Sequence, residues 1–247
     1  MPTRPNVPAV AARAVRQLGA HARPAGDFDA SRYFRGDHEL EFLNVGAHTV
    51  RLLARDIAAE RAADWSLDDA MAFAAILIRR RALEEKGLAV ELVARWRREF
   101  TPTLLPRWKR WLAGGFAANW ATTDAICGYL IGPTLLKWPD AARELEPWSR
   151  HRVLWVRRAS IVGLIPLARR GQALPQVYRT ARRLHADPAD LMQKAVGWAL
   201  REAGKTDPVR LEQYLRRHGS RTPRTTLRYA IERFPARLRQ RLLAETR

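Results

Sequence analysis

The chain has 247 residues, 47% of them apolar, with 44 Lys+Arg against 25 Asp+Glu and a formal net charge of +19. The apolar fraction is that of a globular protein and excludes disorder. No stretch approaches the ~18 uninterrupted apolar residues of a spanning helix, so the positive field points to nucleic acid or an anionic surface rather than to the inside of a bilayer.

In chain order, residues 1–26 hold Arg4, Arg13, Arg16 and Arg23 and no carboxylate; they read as an amphipathic helix over 7–22 rather than a transit peptide. Further helices are expected over 29–36, 48–62, 67–85, 88–99, 102–113, 119–131, 139–147 and 150–169, then 175–186, 188–204, 207–217, 222–232 and 235–246. Starts are marked by Thr101-Pro102, Asp187-Pro188, Asp207-Pro208 and Thr222-Pro223, each a capping side chain before proline, and by Ser66 with Asp69. Stops are marked by Gly87, Gly114-Gly115, Gly171, Gly204 and Gly219. No alternating run of strand formers occurs, so no sheet is expected. Helix pairs recurring every ~35–45 residues have the period of HEAT-like arrays. The expectation is an all-α, HEAT-like helical repeat solenoid, residues 1–247 forming one domain with 1–28 as its N-terminal helix and link.

Chemistry-bearing residues are few. The single cysteine, Cys127, permits no internal disulfide and no cysteine-based zinc site, and it fits a reducing cytoplasm. The six histidines are scattered without ligand spacing, so neither metal nor cofactor is expected. Lysine occurs only as Lys86, Lys109, Lys137, Lys194 and Lys205, leaving 39 arginines. A GC-rich genome gives the same bias, so the excess of charge carries the weight. From Arg150 to Arg201 there are eleven Lys/Arg and two carboxylates, Asp187 and Asp190. Stacked helices would align that excess into a basic stripe.

Two segments stand out. In Asn119-Trp-Ala-Thr-Thr-Asp124, Trp120 and Asp124 are four apart, so an indole and a carboxylate share one helix face. In Gln193-Lys-Ala-Val-Gly-Trp-Ala-Leu-Arg-Glu202, Lys194, Trp198 and Arg201 share a face in the same way. A carboxylate among rings on a basic chain suits a cation developing on a polyanion. Against this stand ordinary explanations: core tryptophans, a structural partner for an arginine, and glycines (Gly128, Gly197) that only let helices pack closely.

With Phe42-Leu-Asn-Val-Gly46, Arg51 and Trp155-Val-Arg-Arg-Ala159, these segments resemble the DNA alkylation repair enzymes of the HEAT-like-repeat glycosylase superfamily, over roughly residues 30–235. The resemblance implies a concave basic face holding duplex DNA, and excision of N3- or N7-alkylated purines. It implies catalytic roles for Trp120, Asp124 and Trp198, and DNA-backbone contacts by Arg201 and by one of Arg157 and Arg158. Lys194 joins these on its helix face, and Tyr33 matches an aromatic near the lesion. The sequence departs from the pattern at Ala121, at Thr122-Thr123, and at Asn44, which interrupts a Phe-Leu-Gly pattern. A monomer in the cytoplasm beside the nucleoid is expected, with alkylated duplex DNA as partner and no membrane. The superfamily also includes non-catalytic proteins that bind unusual DNA structures, which is the alternative reading. A protein-interaction solenoid with an acidic partner is a third.

Overall fold

The computed structural model describes residues 6–26, 34 and 40–246. Among these the regular elements are all helices, and a lone bridge between Glu41 and Ala82 is the nearest approach to a strand. The contacts gather the chain into two compact units. One comprises Met1–Phe100 with Arg110–Leu130, the other Thr101–Lys109 with Ile131–Arg247. The helix expected over 29–36 lies, apart from Phe34, outside the described residues.

In the first unit α1 (Val7–Ala20), α2 (Ala47–Glu60), α3 (Leu67–Leu77) and α6 (Trp120–Ile126) all pack on α4 (Leu83–Val93). The reason is that α4 carries an apolar run in which Leu88, Ala89, Val90, Leu92 and Val93 are all enclosed. The start of α3 is the expected one, with Ser66 and Asp69 forming a reciprocal capping box. Its end is not. The sequence reading runs one helix over 67–85, but the chain breaks after Leu77 and α4 begins at Leu83. Lys86, only 7% exposed, donates to the carbonyls of Ile78 and Phe116, each at 2.9 Å. A buried ammonium must be met by acceptors, and the break frees the Ile78 carbonyl to be one.

In sequence α5 (Leu105–Ala113) spans the division between the units. The second unit continues with α7 (Gly132–Lys137), α8 (Leu154–Val162), α9 (Ile165–Ala168), α10 (Leu174–Leu184), α11 (Asp190–Thr206), α12 (Pro208–His218), α13 (Arg224–Ala230) and α14 (Ala236–Glu245). Helices α8, α9, α10, α12 and α13 all pack on α11. The single helix expected over 150–169 is divided: Pro166, which lacks an amide proton, sits in the first turn of α9, where that proton is not needed. Of the glycine stops, Gly115 (φ 80°) and Gly171 (φ 70°) are left-handed as expected, whereas Gly87 and Gly204 lie inside α4 and α11. At Gly204 the Leu211 side chain of α12 packs into the space that a Cβ would take.

His185, just past α10, ties that helix to α12 and the following turn. It is 8% exposed, with Nε2 3.1 Å from the Tyr214 hydroxyl and Nδ1 3.4 Å from Thr222 Oγ1. Thr222 donates its proton to the His218 carbonyl, so Nδ1–H donates to Thr222 and Nε2 accepts from Tyr214. Burial, with His218 adding to it, lowers the His185 pKa to about 4. The folded value lies below the unfolded one, so the unfolded chain binds the extra proton between them. Stability present above about pH 6.5 should therefore fall as pH drops toward 4, by about 3 kcal/mol if His185 acts alone. Urea midpoints at pH 7, 5.5 and 4.5 check this against His185→Gln. The variant should lose much of the dependence over this range, and an identical profile in both proteins would contradict the assignment.

Candidate functional site

The side chain of Asn119 caps α6, accepting the Thr122 amide at 2.8 Å, while Thr123 Oγ1 donates to the Ala117 carbonyl at 2.9 Å. Asn119, Thr122 and Thr123 are buried, so the polar run reads as the anchor of the helix start. It fixes Trp120 at the first helical position, half-buried, with Asp124 half-buried one turn later on the same face. The Trp120 indole stacks on Phe34, rings 5.2 Å apart and 7° from parallel, and Phe34 meets Phe42 at 5.3 Å. The sequence reading named Tyr33, which lies outside the described residues; the described ring on Trp120 belongs to its neighbour Phe34.

Beyond Asp124 the helix widens into a π turn over Cys127–Ile131 before α7. Pro133 cannot supply the amide that an α-helix would direct to the Tyr129 carbonyl, and the wider turn accommodates the loss. Gly128 is exposed, and a Cβ there would meet nothing within 4 Å, so close packing does not explain it.

The Phe42–Gly46 segment is held by a buried carboxylate. Glu84 accepts the amides of Leu43 at 3.0 Å and Val45 at 3.2 Å. Asn44 is left-handed, φ 53°, and its side chain donates to the Arg23 carbonyl. Asparagine tolerates that conformation better than most residues. This segment, α2, α4 and the Ala121–Ala125–Tyr129 side of α6 enclose a cavity of about 620 Å³. Glu91 lines it, and burial raises its pKa against the opposing pull of Arg95 and Arg51. Glu84 and Glu91 were missed from sequence because only the fold brings them to the cavity. Neither Trp120 nor Asp124 is part of its wall.

The remaining candidates belong to the second unit. On α11 Lys194, Trp198 and Arg201 are each half-buried and share one face, as the spacing requires. Behind them Met192, Ala195, Val196, Ala199 and Leu200 are enclosed. Gly197 admits α13: a Cβ there would stand 2.7 Å from the Thr226 carbonyl oxygen. Thr226 Oγ1 also donates to the Gln193 carbonyl at 2.9 Å. Lys194 pairs with Asp190 at 2.7 Å, and Arg201 pairs with Glu232. Burial pushes Glu202 up, but hydrogen bonds from Lys205 and Arg169 outweigh it and leave the carboxyl below its usual range.

On α8 the two arginines part. Arg158 is 5% exposed, with its guanidinium donating to the Leu191 carbonyl. Arg157 keeps 21% of its side chain exposed and binds Asp187 at 2.6 Å. Asp187, expected as a helix cap, is thus a buried partner for Arg157, and its other oxygen accepts the Ala189 amide. Among the described residues no cluster could hold a metal ion, and no helix is long and apolar enough to cross a membrane.

A family model described as DNA alkylation repair enzyme matches residues 14–234. Among solved structures, one described as a predicted DNA alkylation repair enzyme from Enterococcus faecalis is similar at a TM-score of 0.71 and 15% identity. The match covers 84% of this chain and 94% of that one. At that identity the likeness is one of fold. No curated protein matches the chain.

The α11–α13 contact generates a prediction. Gly197→Ala forces a Cβ onto backbone as well as side chain, so the helices must separate. Stability should fall by about 1–3 kcal/mol, the usual effect of overpacking. A urea melt checks it, and an unchanged midpoint would mean that Gly197 does not set the helix separation.

Proposed function

We propose that this chain, which belongs to the DNA alkylation repair enzyme family, is a DNA glycosylase. Its reaction is hydrolysis of the N-glycosidic bond of N3- or N7-alkylated purines in duplex DNA. The observation that carries this reading is the carboxylate and indole of Asp124 and Trp120, one turn apart on α6 and both partly open to solvent.

The chemistry follows from the substrate. An N3- or N7-alkylpurine is cationic, so when the C1′–N bond breaks its electron pair leaves with the base and neutralises it. No strong general acid is needed. The barrier is the positive charge growing on the sugar, an oxocarbenium-like state. An aspartate, with a reference pKa near ~3.9, is ionised at neutral pH and stabilises that charge. Asp124 also positions the water that adds to C1′ and takes up its proton. Trp120 and Trp198 add cation–π attraction, worth roughly 0.5–2 kcal/mol each.

Backbone contacts fall to Lys194 and Arg201 on α11 and to Arg157 on α8, which exposes more of its side chain than Arg158. Tyr33 is retained as an aromatic beside the lesion. Asp190, beside Lys194, and Glu232, one of the two acidic partners of Arg201, stand largely in solvent, so a phosphate can replace them at little cost, while the buried Glu202 stays beside Arg201. The protein acts as a monomer beside the nucleoid and needs no cofactor.

The test is Asp124→Asn, which keeps size and shape and removes the charge. Base release in single turnover should fall about a hundred- to thousandfold, the effect of losing one preorganised electrostatic contact. Binding to undamaged duplex should hold or improve. Trp120→Ala and Trp198→Ala should each lose less. Unchanged excision by Asp124→Asn discards the mechanism, and binding without release by the unmutated protein hands the function to a non-catalytic DNA-binding role.

A further inference from the structure

Helices α10 and α12 both pack on α11. Between them they form a cavity of about 360 Å³ to which neither α8 nor α11 contributes a residue. It is therefore separate from the Lys194–Trp198–Arg201 face. Three arginines line it, Arg179, Arg210 and Arg217, together with Tyr178, Tyr214 and His218, and no carboxylate does. The nearest acidic groups have other duties. Asp207 caps α12, accepting the Arg210 amide at 2.9 Å, and Glu212 pairs with Arg216 at 2.7 Å. Among the described residues no hydrogen bond or ion pair engages the guanidinium of Arg179 or Arg217. Arg210 lies over the Tyr178 ring, 5.4 Å from its centroid.

The floor beneath these cations is polar and incomplete. Tyr178 is 7% exposed, and its hydroxyl is buried with no hydrogen-bond partner. Tyr214, at 4.9 Å from Tyr178, already gives its hydroxyl to His185. A buried donor left unmatched is unfavourable, so one in a native protein calls for an explanation. Burial pushes the Tyr178 phenol well above its ordinary range, so it keeps its proton and remains a donor. Burial, with Arg182, Arg217 and Arg221 adding to it, lowers His218, which is therefore neutral at pH 7. Asp207 is felt at Tyr178, where Arg210 opposes it, and the charged groups that line the cavity itself are the arginines. Arginines and an unmatched hydroxyl donor in one cavity wall that holds no carboxylate are the complement of a tetrahedral oxyanion.

We infer that the α10–α12 cavity is a phosphoryl-binding site, with Arg179 and Arg217 gripping the anion and Tyr178 donating to it. The same chemistry serves a phosphodiester of bound nucleic acid or a free phosphate. In either case the site is apart from the α11 face, and with a phosphodiester it adds a second anchor for the nucleic acid.

Thermal unfolding in rising inorganic phosphate, against sodium chloride at matched ionic strength, reads occupancy directly. The full-length protein should gain stability from phosphate beyond the chloride effect. Arg179→Gln with Arg217→Gln should weaken phosphate affinity by about tenfold or more, and Tyr178→Phe, which keeps the ring, by about three- to tenfold. Titration of an undamaged 12-base-pair duplex at several salt concentrations separates the sources. If the anion is a DNA phosphodiester, the double variant also flattens the salt slope by about one to two units. If it is free phosphate, duplex binding is unchanged while the phosphate effect is lost. The inference is overturned if phosphate does no more than chloride, or if the variants respond to phosphate as the unmutated protein does.

Discussion

The close approach of α11 to α13 at Gly197 is the contact on which the proposed DNA-binding face of the second unit depends. Because no side chain separates the two backbones there, Thr226 reaches the Gln193 carbonyl and α13 lies flat against α11. That contact fixes the rotation of α11 about its own axis. The rotation in turn decides that Met192, Ala195, Val196 and Ala199 are enclosed while Lys194, Trp198 and Arg201 remain accessible. Glu202, buried among Arg169, Lys205 and Arg201, holds the C-terminal end of the same helix. The glycine and the glutamate of the motif are thus structural, and the three residues between solvent and core are the ones proposed to meet DNA. In the first unit Glu84 has the corresponding part, fixing the Phe42–Gly46 segment against α4 through two backbone amides.

Net charge alone overstates the cations available to a polyanion. Arg158 is inside, and Arg183 serves Glu146 and the Ser149 hydroxyl. Arg169 and Lys205 neutralise a buried glutamate. Glu202 is itself deeply buried, and there an unpaired charge would be far more unfavourable than a paired one is favourable. The cations that remain on the surface set the long-range field, and salt screens that field within about 10 Å at ordinary ionic strength. The DNA-repair role of the family and the composition agree, but the arginine count does not convert one for one into phosphate contacts.

Legibility from sequence followed the range of the interactions. The pairing of Trp120 with Asp124, and of Lys194 with Trp198 and Arg201, is a consequence of helical spacing and was readable directly. So were the Ser66 capping box and the Asp207 cap, since both are contacts within one turn. The Phe34–Trp120 stack, the Glu84 clamp and the Lys86 acceptors join residues distant in sequence, and no local pattern announces them. Gly87 and Gly204 were misread as stops because a glycine inside a helix looks the same in sequence as one demanded by a left-handed turn. The break at 78–82 was missed for a related reason: the apolar periodicity continues through it, and only a buried ammonium makes it necessary.

The account rests on the claim that the carboxylate–indole pair on α6 acts on a glycosidic bond. The most direct measurement is mass spectrometry of the products after incubating the unmutated protein with duplex DNA carrying a single N7-alkylguanine. The account predicts the free alkylated base together with an intact strand bearing an abasic site, appearing faster than spontaneous depurination. Duplex that is bound but yields base only at the spontaneous rate would contradict it.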